Sequence, residues 1–149
     1  MVSVLVLYHS QEHGNTRLMA EAVAEGAKSA GASVKLFNTN EGRLDMEGFR
    51  TADAAAFGSP DYYSYIAGGL KVFLDDWHIA KQAKAAGLTG KLYGLFYSHG
   101  GGGAVRGPMM KLFQGVGTLA GDVVESRGKP DQQVLDACLA LGKRLAQGK

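Results

Sequence analysis

VSVLVLYHSQEHGNTRLMAEAVAEGAKSAG, residues 2–31, decides how the rest of the chain is read. Val2 to Tyr8 is apolar and β-branched almost throughout, the pattern of a strand covered on both faces. The run stops at His9-Ser10. After the polar segment SQEHGNT, Leu18, Ala22, Val23, Ala27 and Ala30 recur at helical spacing until Gly31 closes the pattern as a C-cap would. A buried strand that passes through a polar loop into a helix is one βα unit, and the alternation continues downstream. Ser33 to Phe37 reads as a second strand, followed by a polar stretch through Glu41, Arg43, Asp45 and Glu47 with room for a short helix. Ala52 to Phe57 is a third strand that ends at Gly58-Ser59-Pro60, and Ile66, Leu70, Phe73, Leu74 and Trp77 mark the next helix. Lys91 to Tyr97 is a fourth strand, running into Ser98-His99 and four glycines. Met109, Leu112, Phe113 and Val116 share a helical face, with Pro108 in the first turn or at a local break. Thr118 to Glu125 supplies a fifth strand. Asp131 opens a last helix carrying Val134, Leu135, Cys138, Leu141 and Leu145 on one side.

Five alternations without a repeat or linker predict an α/β fold over residues 1–149: one domain, a five-stranded parallel sheet with helices on both faces, three layers in all. In open sheets of this kind ligands sit beyond the carboxyl ends of the strands, so the loops after the first, third and fourth strands are the candidate site.

Composition narrows the classes further. The 22 glycines among 149 residues are roughly twice the average share, yet with 3 prolines and no G-X-Y period they exclude collagen and proline-rich linkers. They point instead to loops with positive φ angles or close backbone approaches. One cysteine, Cys138, excludes a disulfide framework or a cysteine-rich metal centre and suits a reducing cytoplasm. The opening segment lacks a basic region and a cleavage site, and no apolar stretch reaches membrane-spanning length, so neither a signal peptide nor membrane insertion is expected. Net charge is +2, split into 6 basic and 9 acidic residues over 1–75 and 10 and 5 over 76–149, too mild an asymmetry for nucleic-acid binding.

The first loop, Ser10-Gln11-Glu12-His13-Gly14-Asn15-Thr16, offers hydroxyls, an amide, a glycine and the free N–H groups of a helix start, an inventory that fits a phosphate. An ordinary helix cap by Asn15 or Thr16 is the alternative. The second, Gly58-Ser59-Pro60-Asp61-Tyr62-Tyr63-Ser64-Tyr65, sets three tyrosines within four positions, either a platform for a planar ligand or a cover for the sheet edge and a surface for a subunit contact. The third, Ser98-His99-Gly100-Gly101-Gly102-Gly103, lets backbone approach a ligand, or is a flexible hinge. His9 and His13 have no companion thiolates or carboxylates, so no metal site is expected. Cys138, Trp77, the Asp75-Asp76 pair and Glu21 with Glu25 read as packing or solvated helix positions.

YHSQEHGNTRLMAEAVAEGA resembles the FMN phosphate loop and first helix of flavodoxin-like proteins, GSPDYYSYIAGGLKVFLDDW their second flavin loop and YSHGGGGAV their third. The resemblance is strongest to the non-classical branch that includes NAD(P)H:quinone oxidoreductases of the Trp-repressor-binding-protein type and the flavodoxin domains of flavo-diiron proteins. It implies strand order 2-1-3-4-5 and a non-covalent FMN. Ser10, Gln11, His13, Gly14, Asn15 and Thr16 would serve the phosphate. Ser59, Pro60, Asp61, Tyr62 and Tyr63 would flank the ribityl chain and ring, and Ser98, His99 and Gly100 to Gly103 would border the ring. The phosphate loop is one residue longer than the family's usual spacing, which leaves open whether Gln11, Glu12 or His13 turns inward. Nor does the chain share the strong acidity of the family's classical electron carriers.

His99 and Arg106 are candidate tuners at the pyrimidine end of the ring, where a cation would favour the reduced anion; a solvated loop histidine is the alternative for His99. Other doubly wound readings fail on residues: no aspartate ends the third strand as in a phosphorelay receiver, and no G-x-x-x-x-G-K-[ST], G-x-G-x-x-G or G-x-S-x-G occurs where needed. Three functions remain: an FMN electron carrier serving a redox partner protein, an enzyme passing electrons from NAD(P)H to a small quinone-like acceptor, or a flavin-free binding module.

Overall fold

The computed structural model describes residues 1–149 and places β1 (Ser3–Tyr8) between β2 (Ser33–Asn38) and β3 (Ala54–Pro60), with β4 (Lys91–His99) next, all parallel. The sheet order is β2-β1-β3-β4-β5, with β5 (Gly117–Leu119) at the edge beyond β4. Successive β1 side chains part to opposite faces. Leu5 and Leu7 join the core under α2 (Met46–Arg50), α3 (Gly68–Gln82) and α4 (Arg106–Phe113), while Val4, Val6 and Tyr8 join the core under α1 (Asn15–Ser29) and α5 (Gln132–Gln147). Both faces of the strand are therefore buried, as its uninterrupted apolar run requires.

The expected fifth strand over 118–125 is two strands, β5 (Gly117–Leu119) and β6 (Val124–Arg127), each pairing with β4. Tyr93 faces Leu119 and Phe96 faces Val124, so this edge spends two more residues than β4 over the same interval. They loop out around Gly121, whose φ is 63°. The second segment carries Glu125 to the carboxyl end of β4. In α1 the buried face is Met19, Ala20, Val23, Ala24 and Ala27, whereas Leu18, expected on it, is exposed. Pro108 falls in the first turn of an unbroken α4, where its missing N–H costs no hydrogen bond.

Much of the glycine excess serves packing rather than loops. A Cβ on Gly142 of α5 would lie 2.0 Å from the Val23 carbonyl oxygen of α1, and one on Gly26 of α1 would lie 2.0 Å from that of Leu139. The two helices touch backbone to backbone there. Gly58 likewise belongs to β3 and leaves space for the Phe96 ring.

Candidate functional site

The ends of β1, β3 and β4 bring the three loops around one cleft of about 330 Å³. Its floor is the start of α1. Gly14, with φ 75°, occupies the cap position, no side chain caps the helix and no acidic residue stands in its first turn. Neither Asn15 nor Thr16 acts as the cap. Thr16 is buried and hydrogen-bonds Ser98 across the cleft at 2.8 Å, tying the first loop to the third. The unpaired amides and the helix dipole together make a seat for an anion.

The entry to this loop is pinned by residues the sequence reading passed over. Asn38, which closes β2 beside Tyr8, accepts the Ser10 amide at 3.0 Å and donates to the Ser10 carbonyl at 2.9 Å. His9 Nε2 donates to Gln11 Oε1 at 2.6 Å, and its Nδ1 pairs with the Thr39 hydroxyl at 2.8 Å. Gln11 is thus turned back on His9, while the Glu12 and His13 side chains, 71% and 75% exposed, meet each other 3.6 Å apart at the rim. All three residues line the cleft.

In the second loop Pro60, Asp61 and Tyr62 line the cleft, but Ser59 does not. Its fully buried hydroxyl accepts the Ala67 amide at 3.0 Å and donates to the Pro60 carbonyl, so it shapes the loop instead of facing a ligand. Asp61 accepts the amides of Ser64 and Val105, fastening this loop to the approach of α4. Tyr62 and Tyr65 exchange two backbone hydrogen bonds of 3.1 Å around Tyr63 and Ser64, whose φ angles of 56° and 64° are unusual for residues with side chains. Tyr63 is wholly exposed and outside the cleft. Tyr62 lies edge-on to His9, and burial, with Glu12 nearby, raises its hydroxyl above the ordinary pKa.

The third loop departs most from expectation. Ser98, His99 and Gly100 line the cleft; Gly101, Gly102 and Gly103 do not. At Gly103, φ 66°, a Cβ would stand 2.8 Å from Glu125 Oε2 and 3.2 Å from His99 Nε2. His99 is not a solvated loop histidine: its side chain is 6% exposed, its ring stacks on Tyr97, and Nε2 lies 3.0 Å from Glu125 Oε2. Tyr97 donates its hydroxyl to the same oxygen at 2.7 Å. That hydrogen bond first, then His99 and Arg106, hold the Glu125 carboxyl below its usual pKa against the opposing effect of burial. The expected pair of free cations is therefore a cluster with a carboxylate at its centre. Glu125 gave no signal in the sequence because it sits in what reads as an ordinary strand.

The residues assigned to packing stay out of the cleft. Burial pushes the Cys138 thiol up to about 12, Trp77 donates to the Leu88 carbonyl in the core, and Asp75 and Asp76 pair separately with Lys71 and Arg43.

Residues 6–142 match the family described as Flavodoxin. The chain belongs to the flavodoxin family. It is 30% identical over 171 residues to a flavodoxin of Aquifex aeolicus, covering 99% of this chain and 86% of that protein. It is 29% identical over 190 residues to an NAD(P)H dehydrogenase (quinone) of Archaeoglobus fulgidus, covering 99% and 97%. A coenzyme F420H(2) oxidase of Methanothermobacter thermautotrophicus is 30% identical over 148 residues, where this chain spans 96% of itself but 35% of the oxidase. The solved structure of a flavodoxin from the domain Archaea superposes with a TM-score of 0.84 at 24% identity, covering 99% and 98% of the two chains, and shares the fold. The chain is a flavin-binding redox protein of this family, whose cofactor is FMN. No helix is long and apolar enough to cross a membrane.

Proposed function

We propose that the cleft holds FMN through its phosphate at the start of α1 and that the chain works as an electron carrier for a redox partner protein in a reducing cytoplasm. The observation that carries this is the uncapped helix under a cleft walled by Tyr62 and the Ser98–Gly100 backbone. The amides of Gly14, Asn15 and Thr16 with the Ser10 hydroxyl supply donors for a dianion without a lysine. Pro60, Asp61 and Tyr62 flank the ribityl chain and ring, and Tyr62 excludes water from one side. Bound FMN would supply reversible one- and two-electron chemistry, and the protein positions it and sets its electrostatics. The fit rests on donor chemistry: neutral and backbone N–H groups at the floor and an aromatic wall above.

A second reading, reduction of a quinone by NAD(P)H, is favoured by likeness to the Archaeoglobus fulgidus protein over 97% of its length. The purified protein should show a flavin absorbance band or acquire one with FMN; a protein that stays colourless is a flavin-free module. Steady-state NAD(P)H oxidation with and without benzoquinone then separates carrier from enzyme: turnover that depends on the quinone selects the enzyme. Tyr63, at the exposed tip of the second loop, is the contact for a partner or a second copy, which gel filtration of Tyr63→Ser against the wild type distinguishes.

A further inference from the structure

Glu125 takes two hydrogen bonds on one carboxylate oxygen. Its Oε2 receives the Tyr97 hydroxyl and faces His99 Nε2; the Tyr97 hydrogen bond first, then His99, hold the carboxyl below its usual pKa, so near neutral pH it is an anion. An ionised carboxylate only accepts hydrogen bonds, so the hydrogen of a neutral His99 ring lies on Nε2. Nδ1 is then a bare lone pair. It is buried and has no hydrogen-bond partner, the only such side-chain atom in the molecule, on a residue that lines the cleft. A buried acceptor of this kind is poised to take a donor or a proton.

We propose that His99 is the proton acceptor of the site, taking a proton on Nδ1 when the cleft gains negative charge, with Glu125 the positioning residue that fixes its ring. This rests on FMN occupying the cleft. On full reduction two electrons from an external donor, dithionite in the test below, and one proton from water would go to the flavin, leaving it one net negative charge, and a second proton would pass from water to His99 Nδ1. No bond to carbon forms or breaks, His99 becomes a cation and Glu125 remains an anion. The other charged groups around the ring set the balance. Arg106 from the start of α4 and Arg127, the register partner of His99 on β6, oppose the proton. Asp61, whose amide donates to the Ser98 carbonyl, favours it, as does Glu12 on the first loop, with His13 beside it at the rim. Tyr97, on the same strand, keeps its hydroxyl hydrogen on Glu125 and leaves Nδ1 as the vacant basic atom.

The test uses the flavin-loaded protein labelled with ¹⁵N-histidine, with His99→Gln to assign the signals. Long-range ¹H–¹⁵N correlation spectra near neutral pH should show Nδ1 bare and Nε2 protonated in the oxidised protein, and both nitrogens protonated after dithionite. Spectroelectrochemistry should show a steeper pH dependence of the two-electron midpoint in the wild type than in His99→Gln. One extra proton is a tenfold change in the equilibrium constant per pH unit, about 30 mV for two electrons. Glu125→Gln, at an exposed side chain, should retain flavin but lose the fixed oxidised-state tautomer. The same imidazole pattern in both redox states, with flavin bound, overturns this proposal alone. A protein that neither carries nor takes up FMN overturns the cofactor reading and this one with it.

Discussion

Asn38→Ala tests whether the phosphate seat is held from outside the loop that forms it. The wild-type side chain, 9% exposed, makes three hydrogen bonds, accepting the amides of Ser10 and Asn40 and donating to the Ser10 carbonyl. Alanine strands both backbone groups of Ser10. A buried polar group without a partner costs about 1–3 kcal/mol, and some of that is recovered if the loop shifts toward water. A net loss of about 2 kcal/mol follows, and it must appear in one of two places. If the loop keeps its shape the folded protein loses that stability; if the loop relaxes, FMN must pay to restore it and its Kd rises about 30-fold. Urea unfolding of the apoprotein by far-UV circular dichroism reads the first, and quenching of FMN fluorescence on titration reads the second. Asn38→Asp divides the effect: it keeps an acceptor for both amides but loses the donor and sets a negative charge beside the seat, so it should spare stability more than binding. An Asn38→Ala protein within about 0.5 kcal/mol and about threefold of wild type on both measures would refute the reasoning.

Gly142→Ala should destabilise by at least about 2 kcal/mol, because the α1 backbone must retreat from a Cβ placed 2.0 Å from the Val23 oxygen, an overpacking cost that exceeds the roughly 1 kcal/mol helix-propensity gain of alanine. Gly68→Ala, which meets nothing within 4 Å, is the control and should be neutral or stabilising in the same urea series. Gly103→Ala should weaken FMN binding through the third loop, since its φ is 66° and its new Cβ meets Glu125 and His99, whereas Gly101→Ala meets nothing and should bind within about threefold of wild type by the same titration. Asp53, held below its usual value of 3.8 chiefly by the Ser3 amide, and Asp76, held below 3.8 by Arg43, contribute stability that is present above those values and lost as the pH falls through their folded pKa values. The urea midpoint should therefore drop as the pH goes below about 4, and Asp53→Asn should drop less steeply.

The order of strands and helices was legible because the central strands β1, β3 and β4 are short, largely buried on both faces and followed by loops that break the pattern; VSVLVLY and KLYGLFY leave little choice. The first loop was legible for the same local reason, as a polar segment ahead of a helix. What escaped was whatever depends on a neighbour far along the chain. Asn38 and Glu125 acquire their roles only through register, opposite Tyr8 and Tyr97. Ser59 looks like a ligand hydroxyl until Ala67 folds back onto it. The glycine count suggested loops, but Gly26, Gly58 and Gly142 are small because something else needs the space, which spacing within one segment does not reveal.

The backbone contact between α1 and α5 also governs when the protein can finish folding. Gly26 and Gly142 lie more than a hundred positions apart, and closing so long a loop costs about 4 kcal/mol of chain entropy before any packing returns it. A ribosome has already made residues 1–131 before α5, the partner of the first helix, begins. Until then Val4, Val6 and Tyr8 have half their cover missing, so a nascent chain stalled after β4 exposes an apolar sheet face to chaperones and to other nascent chains.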